Sequence, residues 1–282
     1  MFTCAPALEV TGTPRQRAPY GACDAHFHIF GPYDRFPLDT ARPYTPPPAT
    51  IPHYLSMAQK LGLTRAVVVQ ASVYGTDNAV TLDAVAQFGL ESARAVVVID
   101  DRVDAQGLQA MHDAGARGVR FNAHTGNGTP LDQLGSLARR IADLGWHIQV
   151  YSRGAAMVEL APRLAALPVP VVLDHMAGAA AAEGPDGPVV QAALRLLDTG
   201  RAWVKLSGYR SSAPPWADLA PLARRYIAAA PERCLWGTDW PHTQIADPAA
   251  MLDDARLLDW LFDWAAEPAR ILVDNPAALY FA

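Results

Sequence analysis

The sequence predicts an α/β fold: a single (β/α)8 TIM barrel behind an irregular N-terminal leader. Three observations carry the prediction. Eight apolar, strand-like runs alternate with helical stretches, as a parallel sheet joined by crossover helices requires. The eight units occupy about 260 residues, the length of one closed barrel. No break in composition divides the 282 residues, of which 51% are hydrophobic and 18% charged. A doubly wound open sheet shows the same alternation, but no glycine fingerprint follows the first strand.

Residues 1–20 make the leader. They hold prolines, Arg15 and Arg17 but no apolar segment of signal-peptide length, and are expected to drape over a barrel formed by residues 21–282. The first strand is Asp24-Ala25-His26-Phe27-His28-Ile29-Phe30. Its alternation sends His26 and His28 to the same face, about 7 Å apart by strand rise. Such a pair starts a metal site or a proton-handling site, or is a structural pair near a strand end. A long loop, Gly31 to Pro52, carries Arg42, Tyr44 and Thr45 among prolines, and its length after such a strand suits it to shaping a site. A helix from His53 to Leu61 follows.

The run from Arg65 to Ser72 is continuously apolar, as a strand buried on both faces requires. Thr76 or Asp77 can cap the next helix, through Phe88. The cycle repeats with strands at Arg94–Asp100, Arg117–Asn122, Trp146–Tyr151, Val169–His175, Ala202–Ser207 and Cys234–Asp239. Their helices are expected at Ala105–Ala114, Leu131–Leu144, Ala155–Ala166, Val189–Leu197 and Leu219–Ala230, and two further helical stretches close the chain.

A barrel carries its active site at the C-terminal ends of its strands. Collecting polar residues there gives His26, His28, Ser72, Arg120, Asn122, Tyr151, His175, Lys205, Ser207, Arg210, Asp239 and His242. Each has a plain alternative: Arg120 a structural ion pair, Ser72 a cap, Tyr151 half-buried core. Their convergence from strands far apart is the argument for a site. Asp239 is the sharpest member, because a lone carboxylate ending an apolar strand is costly to bury without a partner or a task.

Composition narrows the classes. A net charge of −5 without a basic run speaks against nucleic acid as a partner. No run of roughly 18 apolar residues offers a membrane span. Cys4, Cys23 and Cys234 cannot form a paired framework and read as small buried hydrophobes in a reducing, cytoplasmic compartment. A homo-oligomer is compatible with the sequence, which does not specify one.

Four segments carry a resemblance: Asp24-Ala25-His26-Phe27-His28, Asp174-His175-Met176, Gly237-Thr238-Asp239-Trp240-Pro241-His242 and Asn275-Pro276-Ala277-Ala278-Leu279-Tyr280. Together they resemble the amidohydrolase superfamily, and more closely its 2-pyrone-4,6-dicarboxylate lactonase branch. Gln70-Ala71-Ser72, Gly75-Thr76-Asp77-Asn78, Gly118-Val119-Arg120-Phe121-Asn122 and Gly184-Pro185-Asp186-Gly187 match that branch too. The resemblance spans Gly21 to Tyr280. It implies hydrolysis of a lactone ring, with Asp239 as general base for water and His26, His28 and His175 polarising the carbonyl. It also implies that Tyr44, Ser72, Arg120, Tyr151, Arg210 and His242 hold an anionic substrate, and Asn122, at the same strand end as Arg120, is expected to join them. Arginine and hydroxyl donors suit a carboxylate or sulfonate.

Two features depart from the family pattern. Where the pyrone dicarboxylate enzymes carry a second basic residue soon after Arg120, this chain reads Ala123-His124-Thr125-Gly126-Asn127-Gly128. The expected substrate is therefore a related anionic lactone, such as a muconolactone, sulfomuconolactone or aldarate lactone, with Arg153 as a candidate replacement clamp. Metal-dependent relatives add a strand-four lysine or a strand-five histidine; here strand five ends in Tyr151, and His147 starts it at the opposite end. Metal-free catalysis is the first expectation. A single Zn²⁺ on His26, His28 and Asp239 is the alternative. The rival functions are a lactone isomerase acting on a sugar-acid lactone, and a non-catalytic small-molecule-binding barrel.

Overall fold

The structure, a computed structural model, describes residues 2–9, 11–124 and 127–282. Thr125 and Gly126, in the segment that departs from the family pattern, lie outside the described residues. In chain order the strands are β1 (Phe2–Thr3), β2 (Cys23–Phe27), β3 (Tyr44–Thr45), β4 (Arg65–Val69), β5 (Ala93–Val97), β6 (Ala116–Asn122), β7 (His147–Tyr151), β8 (Val171–Leu173), β9 (Ala202–Lys205) and β10 (Cys234–Leu235). The helices are α1 (Ile51–Leu61), α2 (Ala79–Phe88), α3 (Ala105–Asp113), α4 (Leu134–Ile141), α5 (Gly154–Ala165), α6 (Pro188–Leu197), α7 (Leu219–Ala229), α8 (Asp254–Trp264) and α9 (Asn275–Tyr280).

Eight strands pair in parallel in the order β10-β9-β8-β7-β6-β5-β4-β2. The first and last strands then meet: Ala25 N–H donates to the Trp236 carbonyl at 2.9 Å, Asp239 N–H to His26 at 2.7 Å and His28 N–H to Trp240 at 2.9 Å. These bonds close the expected (β/α)8 barrel. Gly237 is required at the seam, since a Cβ there would lie 2.6 Å from the His26 nitrogen. Inside the barrel Cys23, Ala25, Val67, Val69, Val96, Val172 and Leu235 pack together. Outside, Phe27 stacks on Tyr54 of α1 with ring centroids 3.7 Å apart.

Several boundaries shift. The ladders stop before the polar residues read as strand ends, so Ser72, His175, Ser207 and Asp239 lie just past their strands. Helix α2 starts after Asn78, whose side chain bonds both Val98 backbone groups instead of capping. Asp77 accepts from the Ala79 N–H at 3.0 Å, while Thr76 makes no such bond. The stretch from Leu131 opens as a short 3-10 turn before α4.

The leader is less irregular than expected. β1 pairs in parallel with β3, in the long loop after β2. Ala5 N–H bonds the Ile245 carbonyl at 2.7 Å, so the leader ties together two loops at the barrel mouth. Farther along, Arg15 pairs with Asp259 and Asp263 of α8 at 3.3 and 2.8 Å. Cys4, Cys23 and Cys234 are buried and unpaired, as expected.

Candidate active site

The histidine pair reaches the barrel interior through a register break. The pairing of β2 with β4 shifts between Asp24 and Phe27. Cys23 and Ala25 face the inner cluster. After the break His26 and His28 face inward while Phe27 packs outward, which is how a bulge re-aims side chains. Asp24 is displaced to the outer side. It accepts from the Thr238 backbone and hydroxyl at 3.0 and 2.7 Å, clamping the first strand to the last. Burial pushes its carboxyl up to about 7 against those bonds.

Asp239 is the focus of the site. It is fully buried and adopts φ +59°, in the left-handed region, as does His175 at +50°. Non-glycine residues rarely adopt that region, and it often marks functional sites. Asp239 Oδ2 accepts from Arg210 Nε at 2.6 Å and from the Tyr209 hydroxyl at 2.7 Å. Oδ1 faces His28 Nε2 at 3.4 Å and His26 Nε2 at 3.6 Å. Burial works to raise this carboxyl, but Arg210 and then the histidines outweigh it and hold it well below the usual carboxylate range.

Outer bonds orient the imidazoles. His28 Nδ1 lies 2.7 Å from the Val69 carbonyl, which can only accept, so Nδ1 carries a proton and Nε2 is turned toward Asp239. His26 Nδ1 lies 3.2 Å from Asp174 Oδ1 and 3.3 Å from Lys205 Nζ. His175 Nδ1 lies 3.0 Å from the Ser207 hydroxyl. Burial drives His26 well below the ordinary histidine range and His175 down to about 4.

Beneath the pair is a polar layer. Asp174 takes Arg120 Nε at 3.3 Å and Gln149 Nε2 at 3.1 Å, and Gln149 Oε1 accepts from Lys205 at 2.7 Å.

A cavity above the layer, with room for about one water, is lined by His28, Tyr44, Ser72, Arg120, Asn122, Tyr151, His175, Arg210, Asp239, Thr243 and Gln244. Nine of the eleven residues expected from sequence thus surround one space. His26 sits one layer below, reaching the site through Asp239. His242 stands off the wall: its Nε2 lies 3.0 Å from Asp254 Oδ1, and its ring packs edge-on against Tyr209 at 5.3 Å. Instead of facing the cavity, His242 buttresses the tyrosine that holds Asp239. Arg153 does not line this cavity, and Lys205 lies in the polar layer.

Sequence reasoning missed Tyr209, Thr243, Gln244 and Asp174 as site residues. Asp174 carried the signal used for Asp239, a carboxylate ending an apolar run. Thr243 and Gln244 follow directly on the last strand's motif, in a loop of the kind that forms barrel sites. Tyr209 had no signal beyond its neighbour Arg210.

The donor set fits a metal. His26 Nε2 and Asp239 Oδ1 are buried without a hydrogen-bond partner. With His28 they form a group whose ligand atoms all lie within 4.8 Å of one another, and His26, Asp174 and His175 form a second such group. Two imidazoles and a carboxylate, with outer partners on His26 and His28, are the ligation expected of a catalytic divalent cation.

A closed (β/α)8 barrel with a His-x-His strand and a terminal-strand aspartate at its C-terminal mouth defines a class of barrel hydrolases. The chain belongs to the amidohydrolase family, whose model matches residues 23–282. It is 37% identical to a 2-pyrone-4,6-dicarboxylate hydrolase of Comamonas testosteroni, over 95% of this chain and 92% of that one. It is 36% identical to a 4-sulfomuconolactone hydrolase of Hydrogenophaga intermedia, over 93% and 89%. A D-galactarolactone isomerase of Agrobacterium fabrum is 35% identical, over 96% and 95%. An apo crystal structure from Agrobacterium tumefaciens superposes with a TM-score of 0.88 at 34% identity, over 96% of this chain and 98% of that one.

Proposed function

We propose that the protein hydrolyses the lactone ring of a small anionic substrate carrying a carboxylate or sulfonate. One observation carries this reading: a buried carboxylate with one oxygen lacking a donor faces two histidines, and two arginines enter the same cavity. The related lactone hydrolases named above support it.

In this reading Asp239 Oδ1 receives a proton from the attacking water as the water oxygen bonds to the lactone carbonyl carbon. His175, on the cavity wall, donates to the carbonyl oxygen as it becomes an oxyanion; His28, whose Nδ1 proton is held by the Val69 carbonyl, turns Nε2 toward Asp239 and, with His26 below, positions that carboxylate. Collapse of the tetrahedral intermediate breaks the ring C–O bond. The proton returns from Asp239 to the leaving oxygen, giving a hydroxy acid or its keto tautomer. Arg120, Arg210, Ser72, Asn122, Tyr44 and Tyr151 hold the substrate anion.

Catalysis by these groups alone is the first form of the proposal. A Zn²⁺ held by His26, His28 and Asp239 is the second, and it would supply Lewis-acid polarisation and a more acidic water. Elemental analysis of purified protein, beside turnover of carboxylated and sulfonated lactones before and after chelation, separates the two. No turnover of any such lactone would refute the function itself.

The isomerase among the relatives favours one further reading, in which a substrate hydroxyl takes the place of water and the lactone is rearranged. Product analysis, free acid against rearranged lactone, decides it. Among the described residues no helix is long and apolar enough to cross a membrane. We place the protein in the cytoplasm, where its three unpaired cysteines would stay reduced.

A further inference from the structure

Lys205, at the end of β9, is wholly buried beneath the cavity, where a charged side chain is costly without a partner or a task. Its Nζ donates to Gln149 Oε1 at 2.7 Å and lies 3.6 Å from Asp174 Oδ1. The third neighbour is His26 Nδ1, at 3.3 Å. An ammonium has three protons and no lone pair, so toward His26 it can only donate. Asp174 Oδ1 stands 3.2 Å from the same ring nitrogen and, as a carboxylate, can only accept. Lysine and aspartate thus make opposite demands on one atom.

The outcome decides what the far side of the ring offers. A neutral imidazole carries its one proton on either Nδ1 or Nε2. If Nδ1 donates to Asp174, Nε2 is bare; if Nδ1 accepts from Lys205, Nε2 holds the proton. His26 Nε2 faces Asp239 Oδ1 at 3.6 Å. His28 Nε2, bare because its ring proton is held at Nδ1 by the Val69 carbonyl, faces the same oxygen at 3.4 Å. With His26 Nε2 bare as well, three acceptors would converge in a buried space, an arrangement that calls for a cation or a donated proton. With the proton on Nε2, the cluster contains its own donor.

The geometry favours the lysine. Its contact with His26 is a hydrogen bond, whereas Asp174 Oδ1 is buried without a hydrogen-bond partner among the described residues. The other oxygen of Asp174 is taken by Arg120 and Gln149. We propose that Lys205 is a positioning residue that selects the Nε2–H tautomer of His26, aiming an N–H at Asp239 and disfavouring Zn²⁺ on that nitrogen. Asp174 supports the opposite tautomer, so the two residues together set the balance between the metal-free and zinc-bound forms of the site. Only the kinetic consequence rests on the lactonase reading.

Neutron diffraction from crystals of chelator-treated wild-type protein reads the proton directly and should place it on Nε2; a proton on Nδ1 would overturn the assignment. This measurement needs no variant, so a Lys205→Met protein that fails to fold leaves the proposal testable. Ring-15N NMR of histidine-labelled, metal-free protein should show one histidine moving from the Nε2–H to the Nδ1–H form in Lys205→Met and none moving in Asp174→Asn. An unchanged tautomer in folded Lys205→Met would equally overturn it.

Zn²⁺ titrated against a chromophoric chelator gives a second readout. Lys205→Met should bind the ion about ten- to a hundredfold more tightly than wild type, and Asp174→Asn more weakly. A merely structural role would weaken zinc in both variants, and that result would reject the selection. In lactone hydrolysis by metal-free protein, Lys205→Met should lower kcat with KM within about twofold. If no lactone is hydrolysed but the tautomer and zinc shifts occur, the role of Lys205 stands and the lactonase reading fails. If lactones are hydrolysed but neither shift occurs, the role of Lys205 fails and the lactonase reading stands.

Discussion

Replacing Asp239 with asparagine tests the assignment on which the proposed chemistry turns. The substitution keeps the volume and one carbonyl oxygen but removes the charge and the capacity to take a proton. Loss of a positioned general base costs about 100- to 10,000-fold in rate, or about 3–5 kcal/mol of barrel-mouth chemistry at 1.36 kcal/mol per decade. The variant also leaves Arg210 without its counter-charge. The Arg210 side chain is only 11% exposed, and breaking a buried pair by removing one partner costs about 3–5 kcal/mol. The amide oxygen can still accept from Arg210 Nε or the Tyr209 hydroxyl, so the lower end of that range is expected. For a chain of this size that lowers Tm by several degrees and leaves the barrel folded, since no core strand is touched. The assay is steady-state lactone hydrolysis, with circular dichroism and a thermal melt on the same preparation. A folded Asp239→Asn protein with kcat within tenfold of wild type would refute the general-base role.

Arg120→Ala should raise KM for an anionic lactone more than it lowers kcat, and an unchanged KM would remove Arg120 from the clamp. Tyr209→Phe removes one of two donors to Asp239 Oδ2 and should lower turnover severalfold with KM nearly constant; unchanged turnover would make Tyr209 dispensable. Gly237→Ala places a methyl 2.6 Å from the His26 nitrogen and should destabilise the protein in chemical denaturation while disrupting the histidine pair; wild-type stability and activity would show that the seam gives way. His147, buried near the closed end, is held neutral by burial, with its pKa lowered to about 3. The unfolded chain binds that proton near pH 6.5 and the folded one does not, so stability is constant above that pH and falls as pH drops toward 3. His147→Phe should flatten this limb in melts taken between pH 7 and 4, and an unaltered slope would refute the assignment.

The closed barrel was legible because each buried parallel strand needs a continuous apolar run, and such runs survive in single sequences: the strands Arg65–Val69 and Ala93–Val97 begin within one residue of where the pattern puts them. Strand ends were less legible, because Gln70, Asp174 and Trp236 extend the pattern although the backbone has already turned toward the site. Simple alternation also groups Asp24 with His26 and His28. The register break after Asp24 separates them, sending the carboxylate out to Thr238 and the imidazoles in. Nothing in the local sequence encodes that break; it follows from the close approach of first and last strands at Gly237. His242 illustrates the same limit. Residue type and position placed it at the mouth, but a left-handed backbone at φ +61° turns it away toward Asp254.

The pairing of Arg210 with Asp239 has a consequence for how the proposed base is switched on. With its partner at 2.6 Å the carboxylate is held in its ionised form, and a strongly stabilised carboxylate is a poor acceptor of a water proton. The same guanidinium is one of the two that face the substrate's anion in the proposed complex. As an incoming carboxylate or sulfonate draws charge-assisted bonds from Arg210, the arginine's hold on Asp239 weakens and the aspartate becomes more basic as the lactone arrives. A neutral lactone of the same ring would bind without that exchange. It should therefore show a lower kcat as well as a higher KM, and adding back a small free anion such as acetate should recover part of the kcat. A neutral lactone turned over at the rate of its anionic counterpart would show that Arg210 restrains Asp239 no more in the free enzyme than in the complex.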